Sequence, residues 1–553
     1  MLVYDQVCAA EKRRRRKRGA FPVSPRRAFI NELVCEGCGD CSAVSNCISV
    51  EPKETEFGRK RAINQSSCNT DLSCIKGFCP SFVTVEGAVL RRPAARKLAD
   101  AARDLPEPAL PGIDGVYSML LAGIGGTGVI TVSAILSEAA HLDGLALLTL
   151  DQTGLAQKNG AVTSHIRLAR DPARLDAPRI GPGQSDLVLG FDVVVAASAG
   201  ALATFDRGRT RAVIDDHFAP TASFVKDTTI DFRQGATLRQ LREAAGEASV
   251  FPVAATRLAT ALFSDALAAN MFLLGHAWQK GLVPIGRAAL EEAIELNGAA
   301  VAMNRDAFAW GRLSAVDPAA VLAQAGLGAE APKTESLDGI IARRAAFLTD
   351  YQDAAYAARY RDLVATAARA EARVSGASGA FAEAVARGAF KLMAYKDEYE
   401  VARLHRDPAF RRRLAEQFEP GYGLKYHLAP PLLARIDPRT GKPGKIAFGR
   451  WIEPLFGLLA AMKGLRGTRL DPFGRTRERR MERRLIEDYA RLVGEMAAAL
   501  DAKNLATATA LARLPEEVRG FGHVKLEAIE RYEKRRAELA ARLTTSPDVE
   551  RAA

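Results

Sequence analysis

The sequence predicts a multidomain protein of mixed class, α/β and α+β. It has a small cysteine-rich unit, a Rossmann-like unit and a helical C-terminal unit. Three observations carry this. Seven of the eight cysteines lie between Cys35 and Cys79, and the 474 residues beyond hold none. A hydrophobic run, Val116 to Leu121, ends in a glycine-rich turn and leads into a helical pattern. From residue 335 onward Ala, Leu, Arg and Glu recur at helical spacing.

A chain of 553 residues, 48% hydrophobic and 26% charged, has room for two to four domains. The net charge of +12 resembles a nucleic-acid signal, but it is unevenly placed. Residues 1–30 hold nine Lys and Arg against Asp5 and Glu11, a surplus of seven, so the other residues carry only five excess positives. The run Lys12 to Arg18 reads as a linker or a patch for an acidic partner, and no nucleic acid is expected. No secretory signal opens the chain, and the cysteine placement does not suit a disulfide-stapled secreted protein. Gly115 to Ser137 lacks charge for 23 positions, but its glycines suit a buried strand–turn–helix better than a membrane span. A cytoplasmic protein without a membrane segment is expected.

The cysteines supply the first chemistry. Cys35, Cys38 and Cys41 form C-x2-C-x2-C, a spacing that wraps three thiolates around one face of an iron–sulfur cube. Gly37 and Gly39 let the backbone come close to the sulfurs. Cys79, followed by Pro80, is the candidate fourth ligand, as in bacterial two-cluster ferredoxins. Cys47, Cys68 and Cys74 remain for a second cluster. Their spacing departs from the ferredoxin pattern and leaves three thiols where a cubane uses four. A three-iron cluster, a non-cysteine fourth ligand and a rearranged ligand set all stay open. Zinc is the alternative, although zinc favours paired C-x2-C knuckles. Cys8 has no assigned role.

The turn Gly123-Ile124-Gly125-Gly126-Thr127-Gly128 follows a predicted strand and precedes a predicted helix. A second apolar run ends at Asp151, 28 positions after Gly123. This reads as a βαβ start in which Gly123, Gly125, Gly126, Thr127 and Gly128 are candidate cofactor-binding residues. Two readings stay open: a phosphate at the helix N-terminus, or glycines that only permit close packing. Gln152 to Gly160 looks like a polar functional loop.

Together these pieces resemble one family, the fused indolepyruvate ferredoxin oxidoreductases among the 2-oxoacid:ferredoxin oxidoreductases. The matching stretches are Asp5 to Gly19, Cys35 to Cys79 with Glu54 to Arg61, and Gly77 to Gly87. They continue with Gly123 to Gly128, Thr153 to Lys158, Gln279 to Pro284, Glu295 to Gly298 and Arg519 to Lys525. The resemblance implies a linker remnant at 1–28, a ferredoxin-like iron–sulfur domain at 29–92 and a γ-type catalytic domain at 114–314. It places a helical domain at 335–553. It also implies a reaction. An aryl pyruvate or other 2-oxoacid is oxidatively decarboxylated to an acyl-coenzyme A, and electrons pass through a [4Fe–4S] cluster to ferredoxin. The family's thiamine diphosphate- and magnesium-binding portion has no counterpart here, so the resemblance implies a separate thiamine diphosphate-binding chain and an oligomer. Asn159 stands where the family loop has a second glycine.

An alternative is a flavin- or NAD-linked iron–sulfur electron-transfer subunit, motivated by the glycine turn and Asp151. No catalytic residue is assigned. His405, Tyr426, His427, Trp451 and His523 read as structural, and packing or assembly is the default role for 335–553.

Overall fold

The first half of the uncharged run becomes a strand because its apolar side chains can be buried on both faces of a sheet, and its second half becomes a helix. A computed structural model of the chain describes residues 7, 11–12, 15–16, 19–47, 49–91, 105–154, 160–218, 234–328, 335–430 and 443–544. Cys8 and the loop residues 155–159 lie outside them. The chain forms two units. One comprises Met1–Val23, Asn64–Asn69 and Arg91–Ala331; the other comprises Ser24–Ile63, Thr70–Leu90 and Pro332–Ala553.

The first unit is built on six strands: β5 (Val116–Ile124), β6 (Ala146–Thr153), β7 (Ala161–Ala169), β8 (Leu187–Gly190), β9 (Arg211–Asp215) and β10 (Val250–Val253). Their order is β10-β9-β8-β5-β7-β6. β5, β8, β9 and β10 run parallel, and β7 is antiparallel to both neighbours. Alternate residues of β5 enter opposite cores. Met119 and Leu121 join one, with the helices Val129–Leu142 and Ala268–Gln279; Leu120 and Ala122 join the other, with Val193–Ala196 and Gln234–Ala245. Two helices on the first face, Ala268–Gln279 and Val301–Val316, cross at glycines. A Cβ on Gly311 would stand 2.8 Å from the Phe272 carbonyl carbon, and one on Gly275 would stand 2.8 Å from that of Phe308.

The topology refines one expectation. After the helix Val129–Leu142 the chain returns as β6, but β7 lies between β5 and β6. β5 and β6 are still parallel and joined by the helix, so the βαβ crossover forms with β7 inserted between its strands. The apolar pattern marks β5 and β6 as strands, but the antiparallel insertion of β7 is a long-range pairing that local pattern does not encode.

The second unit joins the cysteine-rich segment to the C-terminal segment. β1 (Arg26–Ile30) pairs antiparallel with β4 (Phe82–Glu86), and β2 (Val50–Lys53) pairs with β3 (Lys60–Ile63). On its other edge β4 pairs with β11 (Gly423–Leu428), which pairs with β12 (Ile446–Phe448). One face of this four-stranded sheet packs Phe29, Val83, Val85 and Tyr426 against Ala402, Phe410 and Phe456. The rest of 335–544 is mainly helical around a second core that includes Tyr351, Phe381, Tyr489 and Tyr532. Among the described residues no helix is long and apolar enough to cross a membrane.

Candidate functional site

The cysteine site is assembled by two glycines and a short helix. Gly37 and Gly39 take positive φ values of 69° and 81°, which turn the chain tightly enough to face Cys35, Cys38 and Cys41 inward. Cys41 lies on the helix Asp40–Ser45, which Gly39 precedes. Gly77 brings the later segment alongside, because a Cβ there would stand 2.9 Å from Cys41 Cα. Cys79 is thereby brought to the first three. Burial pushes the Cys38 and Cys41 thiols up and the Cys79 thiol up to about 12. Beyond burial, the four thiols raise one another: Cys38 feels Cys79 and Cys35, Cys41 feels all three others, and Cys79 feels Cys35. The four thiols Cys35, Cys38, Cys41 and Cys79 thus share one buried electrostatic environment.

Hydrogen bonds already point at the sulfurs. The Gly37 amide donates to Cys35 Sγ at 3.3 Å, and Cys79 Sγ lies 2.9 Å from Ser81 Oγ. The backbone around the thiols is also held. Lys396 Nζ donates to the carbonyls of Val34 and Cys35 at 3.1 and 3.2 Å, and Lys445 Nζ donates to those of Gly77 and Cys79 at 2.5 and 3.4 Å. His405 fixes the Cys79–Pro80 corner: its Nε2 lies 2.9 Å from the Pro80 carbonyl oxygen, so that nitrogen carries the proton. Burial lowers His405 to about 4 and keeps it neutral.

The electrostatics are unusual for a protein interior. Lys60, Arg61, Lys391, Lys396 and Lys525 lie around Glu36 and the thiols. Lys396 pairs with Glu36 at 2.8 Å, Lys391 also pairs with Glu36, and Lys525 pairs with Glu482. Glu482 in turn accepts from Arg479 at 2.6 Å. Arg61 is wholly buried. Burial lowers its pKa, and the nearby Cys41, Cys35 and Cys38 oppose that shift. Burial lowers Lys60 to about 7 and Lys391 to about 8, with neighbouring lysines adding to both shifts. Buried cations in such excess over carboxylates are costly unless an anion joins them.

A [4Fe–4S] cluster held by four thiolates is an anion of roughly −2 overall. The residues present fit such a group: four thiols in one buried environment, amide and hydroxyl donors on two of the sulfurs, glycines that let the cysteine-bearing backbone segments approach, and a buried cationic shell. Among the described residues no three His, Cys, Asp or Glu side chains are gathered as ligands of a single metal ion. Of the remaining cysteines, Cys74 is buried in the second unit and Cys47 is half-buried there, while Cys68 is half-buried in the first unit.

The glycine turn closes β5 and opens the helix Val129–Leu142. Gly123 is a packing residue, because a Cβ would stand 2.6 Å from Val129 Cγ2 and 3.2 Å from Phe191 Cβ. Gly126 and Gly128 have φ values of 85° and 100°, and a Cβ on Gly126 would meet open space. The Gly125 amide donates to the Gly160 carbonyl at 2.8 Å. Thr127 Oγ1 donates to the Ile124 carbonyl at 2.7 Å, and Asn270 Nδ2 donates to the Thr127 carbonyl at 2.8 Å. Asp151 lies two strands from β5 and accepts from Ser133 Oγ at 3.2 Å.

Sequence reasoning missed the cationic shell. Lys391 and Lys396 sit on and just after the helix Ala380–Met393, in a segment that reads as ordinary helix. The one signal was two lysines within an otherwise apolar stretch.

Comparison with known proteins adds the following. The family described as pyruvate ferredoxin/flavodoxin oxidoreductase matches residues 118–313, and a family of unknown function (DUF6537) matches residues 337–538. The indolepyruvate oxidoreductase subunit IorB of Archaeoglobus fulgidus is 28% identical over 208 residues, which are 36% of this chain and 98% of that protein. The same subunit of Methanothermobacter thermautotrophicus is 32% identical over 83 residues, 15% of this chain and 40% of that protein. A crystal structure of the pyruvate oxidoreductase subunit PORC from Thermotoga maritima is 18% identical with a TM-score of 0.26, covering 36% of this chain and 96% of that one. The IorB relative and the family match at residues 118–313 independently support the likeness to the indolepyruvate ferredoxin oxidoreductases read from the motifs.

Proposed function

We propose that this chain, an indolepyruvate ferredoxin oxidoreductase-like protein, is the iron–sulfur component of a 2-oxoacid:ferredoxin oxidoreductase. Its substrate class is aryl pyruvates, indolepyruvate included. Coenzyme A is the acyl acceptor and ferredoxin the electron acceptor. Thiamine diphosphate and magnesium belong to a thiamine-binding part with which the chain assembles.

The observation that carries this reading is the close approach of the Cys79 segment to Cys41 at Gly77, beside hydrogen-bonded thiols and a buried cationic shell. Cys35, Cys38, Cys41 and Cys79 are the proposed ligands of a [4Fe–4S] cluster. Cys47, Cys68 and Cys74 are proposed for a second. Such a cluster, when bound, accepts and passes on one electron at a time. The chain's own residues set the conditions. Burial of Cys35, Cys41 and Cys79 keeps water from the sulfurs. The Gly37 amide and Ser81 hydroxyl stabilise negative charge on them. Lys60, Arg61 and Lys396 offset the charge an added electron brings. In the first unit, the open side of Gly126 at the helix N-terminus is the proposed place for a phosphate of coenzyme A.

The test is indolepyruvate- and coenzyme A-dependent reduction of methyl viologen by the assembled enzyme, made with wild-type chain or with Cys35→Ser. Loss of dye reduction in the variant is expected. A variant as active as wild type would refute the assignment.

A further inference from the structure

The second unit contains a groove of about 750 Å³ on the sheet face opposite the Phe29–Val83–Tyr426 core. It uses the cysteine block as one wall. Asp40, Ile75 and Phe78 line it, and each is the chain neighbour of a cysteine: Cys41, Cys74 and Cys79. Neighbouring Cα atoms are about 3.8 Å apart, so the groove wall is the outer surface of the backbone that carries the thiols. The opposite wall comes from β11 and the approach to β12, through Lys425 and Lys445.

The charge of the groove is one-sided. Arg26, Lys76, Lys425 and Lys445 line it against Asp40 and Glu86. Glu86 and Lys425 pair with each other at 2.7 Å, Asp40 accepts from the Phe78 amide at 2.6 Å, and Lys445 is held by the Gly77 and Cys79 carbonyls, so the surplus of two cations is presented at the surface by Arg26 and Lys76. Arg26 and Lys76 are exposed. Phe78, packed on His523 with ring centroids 5.2 Å apart, gives the floor an aromatic surface next to Cys79.

We infer that this groove is the docking surface for an acidic one-electron carrier protein, and that the segment matched by the family of unknown function supplies half of it. The inference rests on the cluster reading above. An acidic carrier is steered by the exposed cations, and its prosthetic group is brought against the wall one residue from Cys79. The groove assigns a role to Lys425 and Lys445, whose segment carries no readable chemistry of its own. Electron exit then occurs on the face where the two segments share a sheet.

The experiment is calorimetric binding of a bacterial two-cluster ferredoxin, an acidic protein, to the full chain at low and high salt. Wild type is compared with Lys76→Glu, Lys425→Glu and a control, Arg484→Glu, which reverses an exposed charge outside the groove. The dissociation constant is expected to rise about tenfold in each groove variant and in wild type at high salt, with the control unchanged. Equal weakening by the control, or no weakening in the groove variants, would overturn the inference. So would groove-dependent binding of tripolyphosphate that ferredoxin does not displace, which would make the groove a small-anion site. Binding needs no electron transfer, so the two readings fail separately. Iron-free protein that still binds ferredoxin through the groove refutes the cluster alone. Iron-loaded protein that binds it elsewhere refutes the docking surface alone.

Discussion

Gly37→Ala tests whether the tight turn between Cys35 and Cys38 is what gathers the thiols. Gly37 has φ +69°, and a Cβ there would collide with the Arg59 carbonyl oxygen and stand 3.1 Å from its carbon. Gly58 makes the matched control: its φ is +85°, and a Cβ there meets nothing within 4 Å. Alanine at Gly58 carries only the left-handed penalty, about 1–2 kcal/mol. Alanine at Gly37 carries that penalty plus the collision. The obstacle is backbone just before β3 and cannot swing aside as a side chain would, which adds about 1–3 kcal/mol. The total is about 2–5 kcal/mol, so Gly37→Ala loses more stability than Gly58→Ala. It should also lose iron, because Cys35 and Cys38 flank the strained position. The assay is urea unfolding of the two variants beside wild type, with iron per chain measured after anaerobic expression. Equal midpoints and equal iron in the two variants would refute the reasoning.

Three further outcomes follow from the same structure. His405 is lowered from 6.5 to about 4, so its contribution is fully present above pH 6.5 and is lost as pH falls through about 4. Wild type should therefore lose about 3 kcal/mol more than His405→Gln between pH 7 and pH 4, read from urea midpoints, and parallel pH curves would contradict it. Lys60→Met removes a buried cation near Cys35, which should lower the cluster's reduction potential by on the order of 50 mV in a titration followed by electron paramagnetic resonance. An unchanged potential would remove Lys60 from the shell. Gly311→Ala forces apart the helices Ala268–Gln279 and Val301–Val316 and should cost the first unit about 1–3 kcal/mol or more, seen as a lower thermal midpoint. A wild-type midpoint would show that the crossing relaxes freely.

The legible parts of this protein are the local ones. Cys35, Cys38 and Cys41 could be grouped from spacing alone, because a short loop fixes their geometry. Cys79 needed the Cys-Pro pattern as well, since its approach depends on Gly77 meeting Cys41 across the fold. The strand Val116–Ile124 and its glycine turn were equally plain, but the antiparallel β7 beside them was not, because register is a property of the sheet. The strand Gly423–Leu428 was hidden for the same reason. It is six residues long, lies in a helix-rich region, and gains its meaning only by pairing with β4. The lysines around Glu36 left the weakest trace. Lys60, the Lys391–Lys396 pair and Lys525 come from three separate parts of the sequence, and each reads there as a solvated charge. Burial, visible only in three dimensions, turns them into an anion-stabilising shell.

The proposed function stands on Cys35, Cys38, Cys41 and Cys79 holding one [4Fe–4S] cluster. It is tested most directly by iron, sulfide and zinc analysis of anaerobically purified wild type and Cys79→Ser, with electron paramagnetic resonance after dithionite reduction. Wild type is expected to carry roughly seven or eight irons per chain with matching sulfide, and the variant to lose about four irons together with one reduced-cluster signal. Stoichiometric zinc without sulfide in wild type, or an unaltered cluster signal in Cys79→Ser, would contradict it.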